Sequence, residues 1–140
     1  MGLGHLLRGV AVSAALLSAG AASAQLAQVK IGVLSDMSGP LADAYGPGSL
    51  HAAELAAQDA QKDMPGVKIE VVGANHQNKV DVGSTIARQW YDTEKVDAIF
   101  DIVNTAVAIA VQGVAKERKK VNVQMTGASS LTGQYCSPWA

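Results

Sequence analysis

Apolar and polar positions alternate along this chain in short apolar runs and longer amphipathic segments, and the pattern predicts four strands and three helices. Residues 30–36 (Lys-Ile-Gly-Val-Leu-Ser-Asp) read as a buried strand. Ser38-Gly39-Pro40 breaks it, and a loop runs to Gly46-Pro47-Gly48. Residues 49–62 are alanine-rich, consist of strong helix formers, and stop before Pro65-Gly66. Residues 67–74 form a second strand, in which Val67, Ile69 and Val71 alternate toward a better-covered face. After a polar turn at residues 75–79, Asp81 is the expected N-cap of a second helix. Its apolar face is Val82, Ile86 and Trp90, flanked by Ala87 and Tyr91, and it ends near Lys95. Residues 98–103 are the third strand, and Asn104-Thr105 caps a third helix with Val107, Ala110, Val111 and Val114 as its buried stripe. Lys116, Arg118, Lys119 and Lys120 sit in its last turn, where cations suit the helix dipole. Residues 121–125 are a fourth strand, and residues 126–130 are the loop after it.

Strand and helix alternate with short connections, which selects parallel strands joined by right-handed crossovers. The expected fold is α/β: an open parallel sheet with helices on both faces. Nothing in the pattern after the fourth strand supplies a covering helix. That strand is expected to be an open edge, and the chain reads as a fragment of a larger fold.

Residues 1–24 stand apart. Arg8 gives a positive start, residues 10–17 a short apolar core, and Ala22-Ser23-Ala24 a small-residue cleavage site. The segment is too diluted by Ser18, Gly20 and Ser23 for a membrane span and reads as an export signal cleaved between Ala24 and Gln25. The expected product is periplasmic, with no membrane insertion after cleavage. It has 116 residues, 10 of them basic and 12 acidic, and fits one domain. With no basic stripe, nucleic acid is excluded as a partner. Cys136 is the only cysteine, so a four-ligand zinc site is excluded, and the thiol is either idle or lacks a partner.

Ligands of open α/β sheets bind outside the carboxyl ends of the strands, here the loops beginning at Met37, Asn104 and Thr126, with the turn at Asn75 a poorer fourth. Catalytic signatures there are incomplete. Gly127-Ala128-Ser129-Ser130-Leu131 has leucine where a nucleophile elbow needs glycine. A dinucleotide fingerprint starting at Gly46 fails at His51. His51 and His76 have no carboxylate supplied by spacing and read as surface or helix-start residues. Asp36 and Asp101 read as acceptors for nearby loop amides. Asn104-Thr105 opens a helix whose free amides favour an anion, Ser129 and Ser130 add hydroxyls, and Tyr45 adds an apolar face with a polar tip. Together these fit the carboxylate and part of the side chain of a small organic acid. Taken singly, a capping asparagine and loop serines account for the same residues.

The order of several short segments carries a resemblance. Residues 31–40 (Ile-Gly-Val-Leu-Ser-Asp-Met-Ser-Gly-Pro), Tyr45-Gly46-Pro47-Gly48, His76-Gln77-Asn78-Lys79, Ala87-Arg88-Gln89-Trp90-Tyr91, Asn104-Thr105-Ala106-Val107 and residues 127–132 together resemble the periplasmic substrate-binding proteins of branched-chain-amino-acid-type ABC transporters. The resemblance implies a non-enzymatic, cofactor-free chain, with residues 25–140 a partial N-terminal lobe of a type I periplasmic binding protein. It implies that Asn104, Thr105, Ala128, Ser129 and Ser130 hold a ligand carboxylate, with Tyr45 packed beside the ligand. Asparagine at 104 replaces the family's usual serine, which leaves amino acids, aromatic acids and amides all open as ligand. The implied partners are a small-molecule carboxylate and a membrane permease. Ligand closes two lobes about a hinge, so one incomplete lobe is expected to bind weakly or not at all. The competing readings are an exported α/β hydrolase using Ser129 or Ser130, and a sensor domain, which needs a membrane or signalling segment that the sequence does not display.

Overall fold

The computed structural model describes residues 27–140, so the export signal of the sequence reading lies outside the described residues. The chain runs β1 (Ala27–Ser35), α1 (Gly46–Asp63), β2 (Val67–Asn75), α2 (Val80–Asp92), β3 (Ala98–Ile102), α3 (Thr105–Arg118), β4 (Val121–Gln124) and a one-turn α4 (Ser129–Thr132). The four strands form one sheet in the order β2-β1-β3-β4, and every pairing is parallel. This is the expected α/β fold. β1 is paired on both sides, which is why its second half, Val33 and Leu34 above all, is fully enclosed.

The core lies between the sheet and the α2–α3 pair. Leu34, Ile99 and Ile102 from the strands meet Ala87, Trp90 and Tyr91 of α2 and Val107, Val111 and Val114 of α3. Two glycines set the spacing. A Cβ on Gly32 would lie 2.4 Å from the Trp90 ring, and one on Gly83 would lie 2.5 Å from Val107 Cγ1. Their absence lets the indole pack close against β1 and lets α2 approach α3. Tyr91 reaches across to donate its hydroxyl to the Val121 carbonyl at 2.9 Å.

α1 packs on the other face, over β1 and β2. It leaves a trough of about 640 Å³ between its alanines and Val33, Phe100, Val123 and Met125. The β4 end of that face stays open, with Met125 54% exposed.

Local details depart from the sequence reading. α1 begins at Gly46, whose φ of +52° turns the chain into the helix, rather than at Ser49. α2 is entered from Lys79, and Asp81 lies in its first turn without capping it. The polar tail covers the β4 edge at Asn122, while Val121 and Val123 stay exposed. Leu131, within α4, tucks into the core, and the chain then returns so that the Asn122 amide donates to the Trp139 carbonyl at 2.9 Å. Gln112, buried in α3, anchors this return through the carbonyls of Leu131 and Tyr135. Cys136 is exposed, with a free thiol.

Candidate functional site

The sheet order dictates where a crevice forms. β1 sends its chain to α1 on one face, while β3 sends its chain to α3 on the other, so the two loops part at the carboxyl rim. Such a parting between neighbouring parallel strands is the customary ligand position of open α/β sheets. A depression of about 590 Å³ lies there, walled by Ser38, Gly39 and Leu41 of the β1 loop, Asn78 and Lys79 of the β2 turn, and Asn104.

Its floor is organised around Asp36. The carboxylate is fully buried at the end of β1. It accepts from the amides of Gly39 (2.8 Å), Leu41 (3.1 Å) and Ser38 (3.4 Å) and from Asn78 Nδ2 (2.5 Å). Burial pushes the carboxyl pKa up, but the donors of Leu41, Gly39, Ser38 and Asn78 together outweigh it and hold the group below its ordinary value. Asp36 is therefore an ionised structural anchor for the first loop, as the sequence reading has it.

The β2 turn, the poorer candidate from sequence, is the centre of the site. Gln77 and Asn78 are both left-handed, with φ of 53° and 54°, a conformation asparagine tolerates well. The turn aims Asn78 back at the rim. Its Nδ2 holds Asp36, its Oδ1 accepts from Asn104 Nδ2 at 3.3 Å, and its backbone amide donates to His76 Nδ1 at 3.0 Å. Asn75 adds a second stitch, accepting from the Met37 amide and donating to Ser38 Oγ.

His76 corrects the sequence reading: it is fully buried, not a surface residue. Its amide donates to the Ser35 carbonyl, carrying the β2–β1 ladder one residue further and placing the ring under α2. Burial lowers its pKa, against the opposing pull of Asp36 and Asp101. His51 is exposed on α1, with Glu54 one turn on at 3.6 Å. Asp101, at φ +65° beside the irregularity in β3–β4 pairing, is buried with Oδ2 unpartnered among the described residues, so it does not tie down a loop amide.

Of the six site residues expected from sequence, Asn104 lines the depression. Its Oδ1 caps α3 by accepting from the amides of Ala106 (2.9 Å) and Val107 (3.1 Å). Thr105 is bonded to Thr126 through their hydroxyls at 2.7 Å, which ties the β3 and β4 loops together. Ala128, Ser129 and Ser130 stand on the same rim, beyond β4, as the N-cap and first residues of α4. Among the described residues neither serine hydroxyl bonds to a histidine or a carboxylate. Tyr45 precedes α1 and is not among the residues walling the depression. Asn78 and Lys79 were missed as site residues. Their local signal was the polar turn at residues 75–79, a pattern many turns share.

Residues 28–140 match the family described as periplasmic binding protein. No curated protein is significantly similar in sequence. Among solved structures, a periplasmic binding protein from Burkholderia mallei is 42% identical, covering 80% of this chain and 30% of its own, with a TM-score of 0.76. A branched chain amino acid ABC transporter periplasmic ligand-binding protein from Burkholderia xenovorans is 40% identical over the same shares, with a TM-score of 0.75. A solute binding protein of an R. palustris ABC transporter, solved in complex with 4-hydroxybenzoate, is 26% identical over 80% of this chain and 30% of its own, with a TM-score of 0.64. The chain thus spans about 30% of the length of these relatives. The family is one of binding proteins rather than enzymes, which sets the hydrolase reading aside. The chain belongs to the periplasmic binding protein family.

Proposed function

We propose that this chain supplies one wall of the ligand site in an extracytoplasmic solute-binding component of an ABC importer. The substrate class is branched-chain amino acids or related carboxylates, aromatic acids included. The export signal is removed after Ala24, and a membrane permease receives the ligand. The observation that supports this reading best is the depression where the β1 and β3 loops part, with its walls bonded to one another through Asp36, Asn78 and Asn104. Preorganised polar groups at such a parting suit capture of a small ligand. Asn104 presents its amide there, and Thr105, Ala128, Ser129 and Ser130 extend the polar rim toward β4. Tyr45 is assigned to packing beside the ligand. No helix among the described residues is long and apolar enough to cross a membrane.

One wall holds a ligand weakly, because closure by a second wall removes most of the ligand from water. Titrating isoleucine and 4-hydroxybenzoate into the ¹⁵N-labelled chain is expected to shift the amides of Ser38, Gly39, Leu41 and residues 77–79 and 104–105, with dissociation constants of about 1 mM or weaker. Shifts confined to the trough beside α1, or no shifts in these loops, contradict the reading. Micromolar calorimetric binding of any amino acid contradicts the two-wall account.

A further inference from the structure

The structure leaves an anionic ligand short of positive charge at the place where the sequence put it. The first-turn amides of α3 are largely spent: Ala106 and Val107 donate to Asn104 Oδ1, and Ala108 donates to the Asn104 carbonyl. The charge beneath the depression is negative, since Asp36 is ionised and bonded to Gly39, Leu41 and Asn78 in its walls. A carboxylate entering there is repelled unless a cation faces it.

Lys79 is that cation. Among the described residues it is the only basic side chain walling the depression. Its backbone is fixed, because the Lys79 amide donates to the His76 carbonyl at 2.8 Å and its carbonyl accepts from Gly83 as α2 begins. Its ammonium is held by a neutral group, Gln77 Oε1 at 3.2 Å, and no carboxylate of the described residues lies within 4 Å of it. Lys30, Lys62, Arg118 and Lys120 are each neutralised by an acid.

We infer that Lys79 is the charge-recognising residue of the ligand site and selects a carboxylate over a neutral isostere. This rests on the ligand-site reading above. Gln77 holds the ammonium at the rim by a bond that an anion displaces at little cost, since one oxygen acceptor replaces another and gains charge.

The test compares 4-hydroxybenzoate with 4-hydroxybenzamide, which differ little in shape and by one charge, by amide-shift titration of the full chain at low salt. The wild type is expected to favour the acid by about fivefold, the scale of a solvent-exposed ion pair. Lys79→Met brings the ratio close to one, Lys79→Arg keeps it, and added sodium chloride shrinks it in the wild type. Lys79 is exposed with ordinary backbone angles, and an unchanged amide spectrum away from the rim checks that the fold is kept. If Lys79→Met binds both compounds at the rim with the wild-type ratio, the role of Lys79 is overturned and the ligand-site reading stands. If neither compound shifts the rim amides of the wild type, both fall together.

Discussion

Replacing Asp36 by alanine is expected to cost about 3 kcal/mol of stability, because it strands several buried donors at once. The amides of Gly39 and Leu41 and the side chain of Asn78 all point at the vacated carboxylate, and loop reorganisation can rehydrate only some of them. Asp36→Asn is expected to lose less, about 2 kcal/mol, since it keeps one oxygen acceptor while turning an amide toward other donors. The two differ from a surface substitution in their pH dependence. The folded carboxyl sits below its ordinary value near 3.8, so its contribution is present above that pH and fades as pH falls below it. Urea midpoints measured from pH 7 to pH 3 are therefore expected to fall in the wild type and to be flatter in Asp36→Asn. Equal pH slopes for the two proteins contradict the ionised anchor.

A single methyl group at Gly32 is expected to cost about 3 kcal/mol, the upper part of the range for overpacking a dense core. The added Cβ would lie 2.4 Å and 2.5 Å from two carbons of the Trp90 ring, which is 4% exposed. Neither partner can yield easily. Gly32 sits on the central strand, paired to Val72 on one side and Ile99 on the other, and Trp90 is wedged among α2, α3 and the sheet. The cause is tested by a double-mutant cycle. In a Trp90→Leu background, Gly32→Ala is expected to cost under about 1 kcal/mol, leaving a coupling of about 2 kcal/mol. A cost equal in both backgrounds shows that the penalty is not the indole contact.

These two sites also mark what was legible in the sequence. Trp90 could be assigned to the core because Val82, Ile86 and Trp90 repeat at helical spacing, a local signal. The strands were legible for the same reason, and alternation with helices fixed their parallel sense. That Gly32 lies under Trp90 was not legible, since 58 positions separate them and only the packing of α2 on β1 brings them together. The site divides likewise. Asn104 was readable as a cap because the amides that donate to it are two and three residues away. The Asp36–Asn78 bond spans 42 positions and the Asn78–Asn104 bond 26, so no local pattern announces either. His76 was misjudged because histidine after a strand is commonly solvated, whereas here the ladder to Ser35 draws it inward. α4 and the returning tail escaped notice because one buried leucine in a polar stretch carries no period.

The most direct measurement is a crystal structure of the chain soaked with 4-hydroxybenzoate. The account predicts the ring seated between the β1 loop and Asn104, with its carboxylate toward Lys79. A ligand lodged instead in the apolar trough between α1 and Phe100, with the rim empty, contradicts it.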